Sequence, residues 1–270
     1  MLSTRILTAV IGMPLVFLCI YFGGISFYAM MFFVSVLSVY EYLLIVKKYK
    51  PYTVASLIMA AGFFIFLCFC EICCGCCCCM DKSSISAILI LFIFFVMEVF
   101  KEKADLSIER IAMSFLGAFF IPLALAHMVY IRDLNGGMQL IFLIFIEVWV
   151  LDTAAYTFGY MFGKHKLAKK VSPKKTIEGA IAGVVFGVLM AVVCRYLFIS
   201  SILTLCEAVV LGLVISVVGQ FSDLAESLIK RDGNVKDSGK IIPGHGGVFD
   251  RFDSYIFAAP AVYYVLMFIK

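Results

Sequence analysis

Long apolar runs repeat along the whole chain, and no other feature of the sequence restricts its fold so strongly. A helix needs about 20 consecutive apolar residues to cross the hydrocarbon core of a bilayer, and nine runs of this order follow one another. Helix is the expected conformation because the backbone must satisfy its own hydrogen bonds in lipid. The sequence therefore predicts an all-α polytopic membrane protein with about nine transmembrane helices. The predicted spans are residues 5–22, 25–46, 54–74, 84–100, 111–131, 139–159, 179–199, 202–221 and 253–269.

The composition agrees with a membrane protein and excludes a water-soluble domain. Of the 270 residues, 64% are hydrophobic and only 15% are charged. A soluble domain of this length needs a far more polar surface. The five spans within residues 1–135 contain no recognisable motif, whereas residues 136–270 combine four spans with two polar loops. We therefore predict an N-terminal membrane region and a C-terminal catalytic membrane region.

The distribution of basic residues predicts the orientation in the membrane. Nine spans put the two termini on opposite sides, and 18 of the 22 Lys and Arg residues then fall on the side of the N-terminus. Cytoplasmic loops of membrane proteins carry an excess of Lys and Arg. We therefore expect the N-terminus and both long polar loops to be cytoplasmic.

A cysteine run, CFCEICCGCCCC, contains eight of the eleven cysteines, from Cys68 to Cys79. Thiolates bind zinc and iron–sulfur clusters, but this spacing lacks two separated CxxC pairs and no histidine is near. Cysteine can also serve as a small apolar residue at a helix end, and we favour this interpretation. Disulfide pairing and a metal site remain alternatives.

Three acidic residues of the first half lie near the ends of predicted spans, namely Glu41, Glu71 and Glu98. Long polar side chains at such positions can extend to the membrane interface while their stems stay in lipid. We therefore expect these three side chains to reach the interface.

The first polar cluster of the second half is the stretch VWVLDTAAYTFGYMFGKHKLAKKVSPKKTIEG, Val148 to Gly179. Asp152 lies within a predicted span, and Tyr156 is on nearly the same helical face. The segment SPKKT follows a Lys-rich loop and precedes the next helix, where hydroxyl groups, ammonium groups and free amides all favour an anion. We expect phosphate binding in this segment, whereas the preceding lysines are typical of a cytoplasmic loop. The predicted phosphate-binding residues are Ser172, Lys174, Lys175 and Thr176.

The second polar cluster is GQFSDLAESLIKRDGNVKDSGKIIPGHGGVFDRFD. Helical spacing puts its first carboxylate and a serine on one face, with Glu226 one step around, and two basic residues follow a turn later. A glycine-rich return leads to two carboxylates at the start of the last span. Carboxylates from two helix ends suit Mg²⁺, which prefers oxygen ligands, and the basic side chains would then meet phosphates. The residues concerned are Asp223, Ser227, Lys230, Arg231, Asp250 and Asp253.

The stretch SLIKRDGNVKDSGKIIPGHGGVFDRFDS, Ser227 to Ser254, resembles the C-terminal pattern of phosphatidate cytidylyltransferases, also called CDP-diacylglycerol synthases. The segment from Phe158 to Gly179 is similar to the upstream FGxxxGKHKL…SPKKTxEG segment of the same family. The resemblance covers roughly the C-terminal half of the chain, while the first half is similar only in hydropathy. The cysteine run belongs to no part of the pattern.

The resemblance implies an enzyme of phospholipid biosynthesis that converts CTP and phosphatidic acid into CDP-diacylglycerol and pyrophosphate with Mg²⁺, and leaves room for a second cation. It further implies a site at the cytoplasmic boundary of a bacterial inner (plasma) membrane, open to water for CTP and to the bilayer for the acyl chains. A homodimer is implied by the same analogy. We expect no nucleic acid among the partners.

The resemblance also implies a role for each motif residue. Asp223 and Asp250 would bind the metal, with Ser227 as a third ligand. Lys230, Arg231 and Arg251 would neutralise the triphosphate or the leaving pyrophosphate, and His245 would hydrogen-bond a phosphate or donate a proton. The side chains of Asp237 and Asp253 would either orient the basic residues or touch the metal. The cavity would be lined by Asp152 and Tyr156.

Two other functions are compatible with parts of the sequence. A CTP-dependent lipid kinase would use the same nucleotide but release CDP instead of pyrophosphate. A membrane transporter could also bury acidic residues and use broken helices, but the polar residues here lie in loops and at span ends. A CDP-alcohol phosphotransferase is disfavoured because its dense motif of aspartates and glycines on one helix is absent.

Overall fold

The computed structural model describes residues 2–74, 79–102 and 104–269. Ten α-helices and one β-hairpin form nearly all of this part of the chain. The helices are α1 (Leu2–Phe22), α2 (Gly24–Ile45), α3 (Thr53–Cys74), α4 (Cys79–Val99), α5 (Ser107–Phe115), α6 (Ile121–Asp133), α7 (Gly137–Phe162), α8 (Ile177–Cys194), α9 (Leu205–Asp232) and α10 (Phe249–Ile269). The strands are β1 (Lys166–Ala168) and β2 (Ser172–Thr176), and π-helical turns at Leu116–Phe120 and Arg195–Ile199 extend α5 and α8.

The predicted class, an all-α polytopic membrane protein, is confirmed. Six helical segments of the described residues are long and apolar enough to cross a bilayer, and three shorter apolar helices accompany them. The count of nine spans stays a prediction. The long segments are Gly24–Ile45, Ser107–Asp133, Gly137–Phe162, Ile177–Ile199, Leu205–Asp232 and Phe249–Ile269, and the shorter ones are Val10–Phe22, Thr53–Phe69 and Ser83–Val99.

Internal contacts divide the described chain into two compact units. The first unit contains residues 1–129 and 232–252, and the second contains residues 130–231 and 253–270. The first unit thus includes a stretch from the C-terminal half of the sequence. The boundary near residue 135 that the sequence indicates stays a prediction.

The core of the first unit is built around α2. Tyr42 is fully buried, its ring meets the ring of Phe249 edge to face at 6.3 Å, and its hydroxyl lies 3.3 Å from the sulfur of Met113. A Cβ atom on Gly117 would lie 3.1 Å from the same tyrosine ring, so a glycine lets the π-helical turn approach α2 closely. These contacts fix α2 beside the start of α10.

A buried ion pair in the first unit corrects one expectation of the sequence. Glu98 was expected to reach the membrane interface, but it is buried and pairs with Arg110, which is also buried. The hydroxyl of Tyr52 donates to Glu98 at 2.6 Å, and burial together with this bond raises the pKa of Tyr52 to about 12. An ion pair with further hydrogen bonds compensates the cost of removing both charges from water.

Two other expectations for the first half concern side chains that lie outside the described part of the structure. The side chain of Glu71 is outside the described part. The same holds for the cysteine run beyond Cys68, which is itself buried. The interpretation of the run as small apolar residues therefore stays a prediction.

The second unit contains an element that the all-α prediction missed. Strands β1 and β2 pair in an antiparallel hairpin, with Lys166 opposite Thr176 and Ala168 opposite Ser172. The lysine-rich composition is typical of a loop, so no strand was expected there. Strand β2 leads directly into α8, which packs along α7, and buried Gly183 and Gly187 let α8 approach its neighbours closely.

Candidate active site

Three carboxylates converge near the C-terminal end of α9, and two of them, Asp223 and Asp253, are candidate site residues from the sequence. One oxygen from each of Asp223, Glu226 and Asp253 lies within 4.8 Å of the others, and we call these residues the acidic cluster. Asp223 and Glu226 are three residues apart on α9 and therefore share a face, while Asp253 comes from α10. Glu226 is only 2% exposed, whereas the two aspartates are partly exposed.

Lysine side chains compensate the charge of the acidic cluster. Lys175, at the end of β2, forms an ion pair with Asp223, and Lys230 pairs with Glu226 one helical turn away at 2.5 Å. Both lysine side chains are largely withdrawn from solvent, with exposed fractions of 30% and 12%. The cluster is therefore a mixed-charge site in which carboxylates and ammonium groups stand side by side.

Two serines of α9 form hydrogen bonds next to the carboxylates of the cluster. Ser222 donates to the backbone carbonyl of Asp253 and accepts from the amide of Phe257 at 3.2 Å, which joins α9 to α10. Ser227, predicted as a metal ligand, lies 3.5 Å from Asp223 Oδ1. Its hydroxyl donates to this oxygen of the cluster, and its role as a metal ligand stays a prediction.

The segment SPKKT divides into residues with different surroundings. The Thr176 hydroxyl is buried and accepts from the amide of Gly179 at 3.2 Å, so it caps the N-terminus of α8. The Lys175 side chain points to Asp223, whereas Lys174 is exposed and Ser172 is half-buried. The cap and the ion pair together anchor β2 between two helices of the second unit.

The remaining predicted residues of the second unit surround the cluster loosely. Arg231 donates through Nε to the carbonyl of Val171 at 3.1 Å, which ties the end of α9 to the hairpin. Asp152 is exposed and close enough to Asp253 for an electrostatic interaction. Tyr156 is 77% exposed and stacks against Tyr160 rather than facing the cluster.

The glycine-rich return, residues 233–248, belongs to the first unit, and we call it the motif loop. Asp250, just after it, accepts hydrogen bonds through Oδ2 from the amides of Ser238 at 2.9 Å and Gly247 at 3.0 Å. These bonds close the motif loop onto the first turn of α10. The role of Asp250 as a metal ligand stays a prediction from the sequence.

The other predicted residues of the first unit lie on or beside the motif loop. His245 Nδ1 is 2.7 Å from the hydroxyl of Thr8 in α1, and the histidine amide donates to the carbonyl of Ile242 at 3.0 Å. Asp237 and Arg251 are exposed. Their predicted roles toward substrate remain open.

An apolar groove of about 370 Å³ lies in the second unit. Its walls come from β1, α8 and α9, and Gln220 is its only polar lining residue among those described. Phe221 and Leu224, which line it, belong to the same helix as Asp223 and Glu226. The groove and the acidic cluster therefore share α9, although none of the three carboxylates lines the groove.

The positions of three carboxylates were not predicted from the sequence. Glu226 was noted only as a neighbour of Asp223. Glu147 is fully buried in α7 and accepts from Ser216 at 3.1 Å, although it lies in an apolar stretch that drew no attention. Glu41 was expected at the interface, but it is buried at 1% exposure. For Glu147, its position within an apolar span was the available signal, because acidic residues are costly in lipid unless they serve a purpose.

The fold and the site define a class: a polytopic α-helical membrane protein with a cluster of carboxylates and lysines where two long helices meet a lysine-rich hairpin. Comparison with known proteins specifies the family. The profile of the cytidylyltransferase family matches residues 3–269, and the chain belongs to this family.

Curated relatives agree with this membership. The chain is 33% identical over 159 residues to a protein of Staphylococcus haemolyticus named phosphatidate cytidylyltransferase. It is 34% identical over the same length to one of the same name from Staphylococcus aureus strain COL. Each alignment covers 57% of this chain and 61% of the relative, so the chain spans about three-fifths of the length of the relatives it matches.

Proposed function

We propose that this protein transfers the cytidylyl group of CTP to phosphatidate, forming CDP-diacylglycerol and pyrophosphate. One observation supports this function most directly. The ion pair between Lys175 and Asp223 brings together the SPKKT segment and the acidic face of α9, the two segments that the sequence singled out separately. Membership in the cytidylyltransferase family and the names of the relatives agree with the proposal.

The reaction needs little covalent chemistry from the protein. An oxygen of the phosphatidate phosphate attacks the α-phosphorus of CTP, and the bond from that phosphorus to the oxygen bridging the β-phosphorus breaks. The lipid phosphate is itself the nucleophile, so no serine or cysteine nucleophile is required. The protein has to align two anions and stabilise the charge that develops on the leaving pyrophosphate.

Basic residues of the second unit suit this task. Lys175 and Lys230 pair with carboxylates of the acidic cluster, and Arg231 follows Lys230 on α9. Their positive charges can offset repulsion between the two phosphate groups. Ammonium and guanidinium groups form charge-assisted hydrogen bonds with phosphate oxygens. We assign nucleotide and lipid phosphate binding to these residues, and the predicted roles of His245 and Arg251 stay with the same proposal.

The acidic cluster fits a magnesium ion by the chemistry of its donors. Three carboxylates within 4.8 Å of one another provide the oxygen ligands that Mg²⁺ prefers. Asp223, with Glu226 and Asp253 beside it, would hold the ion, and Asp250 and Ser227 are further ligands predicted from the sequence. The ion, when bound, would screen the phosphates and withdraw charge from the α-phosphate. A second cation remains part of the same prediction.

The lipid substrate is supported by the apolar groove between α8 and α9, since α9 also carries Asp223. A phosphate at the cluster would leave the acyl chains next to the walls of α8 and α9, which are apolar apart from Gln220. The basic loops indicate that this end of the helices faces the cytoplasm, from which CTP would enter. We accordingly propose a bacterial inner-membrane location with the site on the cytoplasmic side, and a homodimer as the family resemblance implies.

Radiolabelled CTP tests the proposal and separates it from its rivals. Purified protein is incubated with CTP labelled at the α-phosphate, phosphatidate and Mg²⁺ in mixed micelles. We expect label in the lipid fraction and an equal amount of pyrophosphate in the water phase. A lipid kinase would release labelled CDP and leave the lipid unlabelled. Absence of both products, with uptake of a solute into proteoliposomes instead, would favour the transporter.

A further inference from the structure

Glu41 of α2 points its carboxylate into the first unit and not to the membrane interface. The side chain is 1% exposed, and its Oε2 atom accepts two hydrogen bonds at 2.8 Å, one from the Ser238 hydroxyl and one from the Phe249 amide. Its Oε1 atom has no hydrogen-bond partner among the described residues. A single oxygen of an N-terminal helix therefore binds both the motif loop and the start of α10.

Two glycines of the motif loop allow this close approach. A Cβ atom on Gly239 would overlap Glu41 Oε1, and one on Gly247 would overlap both Glu41 Oε2 and the Ser238 hydroxyl. Both overlaps involve the Glu41 carboxylate, and the second also involves the Ser238 hydroxyl that binds it. The glycines around the HGG sequence thus leave room for a side chain that lies about 200 residues earlier in the chain.

The Glu41 contacts continue into the residues that the sequence predicts to be functional. Ser238 links two carboxylates: its hydroxyl donates to Glu41, and its amide donates to Asp250 at 2.9 Å. The amide of Asp250 in turn lies 3.3 Å from the Ser238 hydroxyl. A displacement of the Glu41 carboxylate would therefore move Ser238 and change the surroundings of Asp250.

The same part of the chain also holds the beginning of the motif loop. Lys48 and Tyr49 follow directly after α2, and both bind the Asp232 side chain, at the end of α9, at 2.9 Å. The loop is thus attached at both ends to α2 and the turn after it. Lys48, Tyr49 and Asp232 are on the surface, whereas the contact at Glu41 is buried and excludes water.

We propose that Glu41 is a positioning residue, which sets the conformation of the motif loop and thereby the placement of His245 and Asp250. The consequence for turnover rests on the proposed cytidylyltransferase function, while the effect on the loop does not. Glu41 touches no substrate in this proposal and acts through Ser238 and Phe249. Position 41 requires a hydrogen-bond acceptor, because the Ser238 hydroxyl and the Phe249 amide are both donors.

Three variants test this role in the full-length protein in detergent. Glu41→Ala removes the acceptor, and Glu41→Gln keeps one oxygen in its place. Ser38→Ala is the matched control, since Ser38 is a fully buried polar residue one turn earlier on α2 whose hydroxyl has no hydrogen-bond partner among the described residues. We expect Glu41→Ala to lower kcat about 100-fold, because a small misplacement of reacting groups has an effect of this order. Glu41→Gln should restore turnover to within about threefold of the parent, and Ser38→Ala should match the parent.

Limited proteolysis measures the loop without reference to the reaction. Lys236 and Lys240 are exposed trypsin sites in the motif loop. We expect Glu41→Ala to raise the rate of cleavage at these sites about tenfold, because a segment that opens more often is cut faster. Cleavage of Glu41→Gln and Ser38→Ala should remain at the parental rate. Mass spectrometry of the fragments identifies the cut positions.

The two readouts separate failure of this inference from failure of the proposed function. If the parent protein shows no cytidylyl transfer, the proteolysis result still decides whether Glu41 holds the loop. An active parent whose Glu41→Ala variant keeps both normal turnover and normal trypsin resistance would overturn the inference. So would a Glu41→Gln variant as inactive as Glu41→Ala, because the charge and not the acceptor would then be required.

If Glu41→Ala does not yield folded protein, Ser238→Ala provides the second test. It removes the hydroxyl donor from the loop side and leaves α2 unchanged. We expect faster cleavage at Lys236 and Lys240 and a lower kcat, both smaller than for Glu41→Ala because the Phe249 amide still binds Glu41. Parental cleavage and parental kcat in Ser238→Ala would contradict the inference.

Discussion

Carboxylates of the two units have opposite surroundings. In the first unit, Glu41 and Asp250 each accept hydrogen bonds from backbone amides or a serine, and these bonds fix a loop. In the second unit, the acidic cluster brings three carboxylates within 4.8 Å of one another, where they are balanced by lysines. Carboxylates facing amides stabilise a backbone conformation, whereas carboxylates facing each other require a cation. The same residue type thus fixes a loop in one unit and, under the proposed function, would bind a cation in the other.

The largest effect should come from the centre of the acidic cluster. Asp223→Asn removes the charge that pairs with Lys175 and that would bind the metal, so we expect cytidylyl transfer to fall at least about 1,000-fold. The incorporation of labelled CTP into lipid measures the change. Glu207→Gln, at the other end of the same helix, is the control and should retain parental activity, because glutamine can still accept the hydrogen bond from the Thr204 amide. Loss of less than about tenfold in Asp223→Asn would remove the cluster from the reaction.

Two adjacent lysines of β2 show whether a paired and an exposed basic residue differ in their effect on activity. Lys175 pairs with Asp223, whereas Lys174 is exposed. We expect Lys175→Ala to lower kcat/KM for CTP about 100-fold, because it removes a charge that faces phosphate. Lys174→Ala should change kcat/KM by less than about threefold, since an exposed charge is screened by solvent and salt. Equal losses in the two variants would show that the loop acts through its overall charge.

Magnesium titration separates the carboxylates that bind metal from those that fix the loop. The protein is freed of metal with a chelator, and activity is then followed as Mg²⁺ is added back. We expect Asp253→Asn to raise the half-saturating Mg²⁺ concentration about tenfold, as the loss of one charged ligand should. Asp250→Asn should raise it similarly if Asp250 is the metal ligand that the sequence predicts.

The opposite result for Asp250 would also be informative. An unchanged Mg²⁺ requirement with a reduced kcat would assign Asp250 to the loop alone, through its bonds to Ser238 and Gly247. For Asp253, an unchanged requirement would contradict the proposed metal site. Both variants are measured beside Glu207→Gln so that effects of a lost surface carboxylate are subtracted.

The smallest effect concerns the helix cap at Thr176. Thr176→Ala removes the side chain that accepts from the Gly179 amide, so we expect the free energy of unfolding to fall by about 1 kcal/mol. Thr176→Ser keeps a hydrogen-bond acceptor and should therefore recover most of the lost free energy of unfolding. Thermal unfolding in detergent gives the comparison. A loss of activity far beyond this loss of stability would show that the hydroxyl binds phosphate, as the sequence predicts, in addition to capping α8.

The apolar runs predicted the helices well because a membrane span is set by length and hydropathy alone. The predicted span 202–221 covers only part of α9, which continues through charged residues to Asp232. Strand β2 was missed because Ser, Pro and Lys are typical of loops, and its pairing with β1 depends on the helices that frame the hairpin. The motif residues were grouped by helical spacing and by the chemistry of phosphate and metal binding, and the family resemblance then implied a role for each of them.

The candidate site was predictable only where its residues are close in sequence. Asp223 and Ser227 were grouped because four residues make one helical turn. Lys175 was expected to bind phosphate, but its pairing with a residue of α9 depends on how the hairpin folds. Glu41 could not be recognised, because an acidic residue near a span end has the same sequence signature whether it reaches the interface or is buried against a loop.

Helix α9 continues without a break from an apolar segment into the acidic cluster. Its 28 residues extend about 42 Å, whereas the hydrocarbon core is about 30 Å thick. Under the proposed function, the length of this one helix would set the height of the acidic cluster relative to the lipid, and a change in bilayer thickness should tilt the helix or draw its charged end toward the lipid. Activity would then depend on the thickness of the membrane, and measurements in vesicles of short-chain and long-chain lipids would reveal that dependence.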